Sequence, residues 1–246
     1  MKKLFVAIAI ITTTLFSCKK STPLDCFKST GKITEEERNT GTFNTIILND
    51  NVNLHLTQGN ENKITVKAGK NLIKKIVTEI NNDTCLEISN LNSCNWTRNY
   101  KIPVDVYLTF KELADIEYHS TGNIDNTDTL TVDSLVLNVR EGAGTINLVV
   151  DSKKIYSNIH RGTATIELSG KSLLLFVYSA DFGLVDNRNL KAQHVYLRSE
   201  TGNNIYVNAV QLIDATINGI GNVYYYGNPQ SVSRNGTGSG KLIHLE

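Results

Sequence analysis

The chain has 246 residues, 25 basic against 24 acidic side chains and only three prolines, with 40% hydrophobic and 7% aromatic residues. A surface so close to neutral offers no electrostatic footprint for nucleic acid, and none for an anionic membrane face.

The N-terminus begins Lys2-Lys3 and continues with an apolar run from Leu4 to Ile11 and a Thr12 to Thr14 bridge, then Leu15-Phe16-Ser17-Cys18. About a dozen apolar residues are too few for a transmembrane helix, which needs roughly twenty, so residues 1–17 read as an export signal. Its end resembles a bacterial lipobox, with Cys18 as the lipidated first residue of the mature chain. Triple acylation of Cys18 exceeds the two signals needed for stable anchoring, which predicts an outer-membrane lipoprotein on the periplasmic or cell-surface side. Three further cysteines remain in an oxidising compartment. Cys26 and Cys94 lie outside alternating runs and are the preferred disulfide pair, with Cys85–Cys94 as the alternative. No CxxC or paired-histidine spacing exists among His55, His119, His160, His194 and His244, so no metal site is expected, and no cofactor.

Residues 18–40 are polar and include Glu35-Glu36-Glu37-Arg38, which predicts a flexible tether. A single domain is expected over 41–246, with strands over 41–112 and repeated coils over 113–246. Alternation is clear in Val52-Asn53-Leu54-His55-Leu56, Ile64-Thr65-Val66-Lys67-Ala68, Leu86-Glu87-Ile88 and Val104-Asp105-Val106-Tyr107-Leu108. Period two interrupted by Gly59-Asn60 and Asn81-Asn82-Asp83 means strands and tight turns. Only 71–80 could hold a helical turn, and without crossover helices a βαβ architecture is excluded.

From Leu135 the chain repeats. Leu135-Val136-Leu137-Asn138-Val139 overlies Ile155-Tyr156-Ser157-Asn158-Ile159 at an offset of twenty, and Thr145-Ile146-Asn147-Leu148 overlies Thr165-Ile166-Glu167-Leu168. One apolar position recurs at Ile124, Ile146, Ile166, Val185, Ile205, Val223 and Leu242, preceded two residues earlier by Gly122, Gly144, Ala164, Gly183, Asn203, Gly221 and Gly240. A period near twenty is one circuit of a solenoid, in which each coil pairs with its neighbours and the apolar column becomes a continuous core. The glycines are expected to supply positive φ at the corner. An antiparallel sandwich is the competing fold, but paired hairpins would need two turn signals per period where one is marked.

The corners Gly142-Ala143-Gly144, Gly219-Ile220-Gly221 and Gly238-Ser239-Gly240, with the closing segment Gly221-Asn222-Val223-Tyr224-Tyr225-Tyr226-Gly227-Asn228-Pro229, resemble the auto-transporter adhesin family with a head GIN domain. The likeness extends from about Phe43 to the C-terminus. It implies a right-handed parallel β-helix and an adhesive surface role, and it supplies no catalytic residues. The chain departs from the family's small corner residues at Glu141, Arg161 and Asp181.

Those corner charges are one candidate ligand surface. Their first reading is a ladder of ion pairs, Arg140 over His160 and Glu141 over Arg161, with Asp181 and Glu200 near the same column. Tyr224-Tyr225-Tyr226 is the other candidate surface, with Tyr224 and Tyr226 on one side of the strand and Tyr225 on the other. Trp96 is expected to pack beside a disulfide. Glu141 and Glu200 lie three coils, or roughly 14 Å, apart, too far for a glycosidase pair. Gly236 to Lys241 lacks the spacing of a phosphate loop, and no Gly-x-Ser-x-Gly elbow occurs. These observations predict a non-enzymatic envelope module, adhesin-like or scaffolding, with a glycan or protein ligand. The alternative is a β-helix that binds or cleaves carbohydrate.

Overall fold

The computed structural model describes residues 29–82, 84–93 and 103–246. It is an all-β solenoid of about six turns with coils of about 20 residues. The predicted column is reproduced residue for residue. Ile124 pairs with Ile146, Ile146 with Ile166, Ile166 with Val185, Val185 with Ile205, Ile205 with Val223, and Val223 with Leu242, all in parallel register. All but Leu242 are buried. These ladders are parallel throughout, which excludes the sandwich.

Five long strands make the regular part: β10 (Leu130–Gly142), β11 (Thr145–Ile159), β12 (Thr165–Ser179), β13 (Leu184–Ser199) and β14 (Ile205–Ile217). Each turns a corner without leaving the ladder, so every coil contributes two walls. One wall carries the column above, and the other stacks Leu137, Ser157, Val177, Leu197 and Ala215. The last coil is built from the shorter β15 (Val223–Tyr226), β16 (Ser231–Asn235) and β17 (Leu242–His244).

The N-terminal strands belong to the same stack. They are β2 (Thr45–Asp50), β3 (Asn53–Gln58), β4 (Lys63–Gly69), β5 (Ile76–Asn81), β6 (Cys85–Asn90), β7 (Asp105–Phe110), β8 (Asp115–Ser120) and β9 (Ile124–Asn126). The coil β2–β3 lies beneath β8–β9, placing Ile46 under Ile116 and Leu54 under Ile124. Its other side meets β6 and β7, through Leu86 and Val106. Beyond those, β4 and β5 pair antiparallel with β7 and β6 and close the end. The expected helical turn is a 3-10 turn at Ile73–Lys75, leading into β5.

The tether expectation fails for part of its span. Ile33–Arg38 is a strand, β1, antiparallel to β4. Its acidic residues are compatible with an edge strand because basic partners stand on β4. Glu35 lies opposite Lys67, and Lys67 and Lys63 form ion pairs of 3.3 and 2.8 Å with Glu35 and Glu37. The side of β1 over the buried Ile64, Val66 and Ala68 is polar, with Glu36 bonded to Arg38. Arg38 also donates to the carbonyls of Ile73 and Ile76, at 2.9 and 2.5 Å. The opposite end is closed in the same way: Arg234 donates to the carbonyls of Gly236, Gly238 and Gly240.

The marked corner is a close-approach site more than a positive-φ site. A Cβ on Gly144 would lie 2.0 Å from the carbonyl oxygen of Gly122, one coil below. Positive φ falls two residues earlier, at Gly142 (+117°). Tyr118 pegs the first of these corners: its hydroxyl donates to Gly122 O (2.6 Å) and accepts from Gly144 N–H (2.9 Å), and burial pushes its pKa up to about 12.

Candidate functional site

The period of twenty assembles an aromatic ladder on the outside of one wall. Tyr156, Phe176 and Tyr196 each follow a buried aliphatic residue, Ile155, Leu175 and Val195, and stand in register on β11, β12 and β13. The rings are stacked, with centroids 4.7 Å apart for Tyr156 and Phe176 and 5.4 Å for Phe176 and Tyr196. Tyr196 is 38% exposed. Beside them Tyr178 contacts the ring of His160, and Arg198 is held by Glu200 at 2.9 Å. Burial, and then the charge of Arg140, hold the His160 pKa below its usual value, which favours a neutral imidazole. A hollow of about 270 Å³ lies between Phe176, Tyr178, Tyr196, Arg198 and Asp214.

The predicted tyrosine run lies on the other wall, and it alternates as expected. Tyr224 stacks on Tyr206 with centroids 5.2 Å apart. Arg188, anchored to Asp186 at 2.7 Å, lies 4.2 Å over the Tyr206 ring and 5.9 Å from the ring of Tyr226. Tyr225 turns to the core side and stacks on His244. Asp186 stands in register with Glu167, so two acids and two tyrosines share this outer column.

The corner charges do not pair as expected. Glu141 lies opposite His119 on β8, and its carboxylate is 3.5 Å from Nδ1 of that histidine. The other ring nitrogen of His119 meets Glu117 at 2.7 Å, and Arg140 is 3.8 Å from Glu117. Among the described residues no ion pair joins Glu141 to Arg161. A register shift between Val139 and Glu141 turns the acid downward, while Arg161 sits past the end of β11 in the turn. Asp181 caps that turn by accepting from Gly162 N–H at 2.7 Å. The offset-twenty pairs form instead at the bend within the long strands, where Lys153 meets Asp133 at 2.7 Å and Lys171 meets Asp151 at 3.0 Å.

Cys18, Cys26, Cys94 and Trp96 lie outside the described residues. Cys85 is a half-buried free thiol at the start of β6, and burial, followed by the nearby acids, pushes its pKa up. Among the described residues no group of three His, Cys, Asp or Glu could hold a metal ion. Sequence reasoning sought aromatics as a contiguous run and so missed Tyr156, Phe176 and Tyr196. The signal was present as an aromatic at the same place in three successive twenty-residue repeats.

Comparison with known proteins agrees with this fold. A solved structure described as a putative adhesin from Bacteroides fragilis superposes with a TM-score of 0.79 at 22% identity, covering 87% of this chain and 97% of that one. A putative lipid binding protein from Parabacteroides distasonis gives 0.68 at 20% identity, over 88% and 98% of the two chains. A putative adhesin from Parabacteroides merdae gives 0.62 at 16%, over 89% and 98%. These likenesses show the fold. No curated protein matches the sequence. The model of one family covers residues 42–229, nearly all of the described solenoid, and the chain therefore belongs to the family described as "Putative auto-transporter adhesin, head GIN domain".

Proposed function

We propose that this chain is a non-enzymatic, adhesin-like module of the cell envelope, held at the outer membrane by lipid on Cys18, and that it meets its partner through the aromatic ladder. The observation that carries the reading is the in-register stack of Tyr156, Phe176 and Tyr196 on the outside of a rigid wall. Tyrosine gives large contact area with little conformational entropy to lose, and neighbouring Arg198 adds a second residue type enriched at binding hot spots. Phe176 has a ring against each of its faces, so the ladder presents edges and hydroxyls outward. That suits a flat protein surface better than a sugar ring, which stacks on an open aromatic face. The apolar export segment and the lipobox-like ending at Cys18 support the envelope location.

The reading is tested by adherence of cells displaying the chain to a panel of immobilised proteins. The double change Phe176→Ser with Tyr196→Ser should abolish adherence while leaving the protein folded, and undiminished adherence would remove the ladder from the site. Cys18→Ser should move the protein out of the membrane fraction and end its labelling by a fatty-acid analogue. Persistent labelling would sink the anchor.

A further inference from the structure

The long strands β10 to β13 bend where the inward residue is small or short: Val132, Ser152, Ser172 and Ala192 stand in one register. Outside that bend runs a groove of about 530 Å³, lined by Asp133, Asp151, Lys153, Lys171, Leu173 and Gln193 among others. A second hollow of about 440 Å³ shares Thr131, Val132 and Asp133 with it and reaches Lys111 and Glu112. Together they form a trough along the solenoid axis, crossing the strands.

Three features define what could lie there. The charges cancel in pairs, Asp133 with Lys153 and Asp151 with Lys171, so the trough exerts no net pull on an anionic or a cationic polymer. The backbone of β11 and β12 is paired on both sides, leaving no edge to which a peptide could add as a strand. Leu173, 53% exposed, offers an apolar patch between donors and acceptors.

We propose that this trough binds a neutral oligosaccharide lying along the solenoid axis. Alternating carboxylate acceptors and ammonium donors match vicinal hydroxyls, and the C–H face of a sugar rests on Leu173. The proposal builds on the binding-module reading but uses a surface separate from the aromatic ladder.

The test applies the full chain to an array of neutral hexasaccharides of glucose, mannose and N-acetylglucosamine, with sialylated and sulfated glycans alongside. At least one neutral series should be retained. Asp151→Ala with Lys171→Ala should weaken it at least tenfold. Leu173→Glu, at an exposed position, is a second blocking variant should the charge pair prove necessary for folding. The ladder variant Phe176→Ser with Tyr196→Ser should bind the glycan as the parent does. Retention of charged glycans alone, no retention at all, or binding that survives the trough variants would overturn the proposal. Glycan binding lost only in the ladder variant would also overturn it while leaving the adhesive ladder standing.

Discussion

Residues 33–110 and residues 130–226 build the same two walls by different routes. In the later region each coil lies on the one just before it, so Ile146, Ile166 and Val185 are neighbours in space and nearly equidistant in sequence. In the earlier region the chain lays β2–β3, steps outward to form β4 through β7, and then returns to place β8–β9 on the other side of the coil it began with. Leu54 consequently touches Val106 on one side and Ile124 on the other. A fixed period is legible only where stacking order follows chain order. The physics of the column is the same in both.

The largest effect expected from that common column is its disruption by charge. Ile166→Asp and Leu54→Asp both place a carboxylate without a partner among fully buried neighbours, and each should cost more than about 4 kcal/mol, seen as aggregation or loss of the thermal transition. A soluble Leu54→Asp variant with a near-parental melting temperature would break the equivalence of the two regions. Next comes the joint between them. A Cβ at Gly122 would lie 2.0 Å from the carbonyl oxygen of Val52, so Gly122→Ala should cost about 1–3 kcal/mol in denaturant unfolding. At Gly202, in the regular coils, the nearest atom would be 3.6 Å away, and Gly202→Ala should stay within about 0.5 kcal/mol.

A smaller effect separates the regions by pH. His55 lies between two carboxylates, 3.5 Å from Asp105 and 2.8 Å from Asp125. Hydrogen bonding to Asp105, reinforced by Asp125 and opposed by burial, raises its pKa. The stability this provides is fully present below the unfolded value of about 6.5 and is lost as pH rises through the folded value. His160 in the repeats has a lowered pKa, so its contribution is present above about 6.5 and is lost as pH falls through the folded value. Denaturant midpoints should therefore show His55→Gln costing more at pH 5.5 than at pH 8.5, and His160→Gln relatively less at pH 5.5. Parallel profiles for the two variants would refute the assignment. The smallest effect is at the bend: a double-mutant cycle on Asp151 and Lys171 should give a coupling of about 0.2–1 kcal/mol that salt removes, because both side chains are well exposed.

What the sequence disclosed follows the same division. From Ile124 to Leu242 each member of the core column was readable, because consecutive coils impose one apolar and one small or turn-forming residue at a nearly constant interval. Before Ile124 only alternation was readable, since neighbours in the stack are separated by the whole excursion through β4 to β7. Glu141 and Arg161 met the condition of opposite charge at an offset of twenty, but a register shift and a strand end separate them, features with no marker in the sequence. Lys153 and Lys171 met the same condition inside continuous strands, where the offset does become contact. The run Glu35-Glu36-Glu37-Arg38 lacked apolar alternation because it covers the end of a core and contributes no hydrophobic layer of its own.

The two arginines at the ends carry a further consequence. A stack of coils with uniform spacing has no internal reason to stop, and its last strand is a template onto which another molecule could add without limit. Arg38 and Arg234 occupy inner positions of the first and last layers and spend their donors on carbonyls of their own chain. An arriving strand would have to bury a guanidinium whose hydrogen bonds are already committed. Addition of a further strand is thereby made unfavourable at both tips of the described stack.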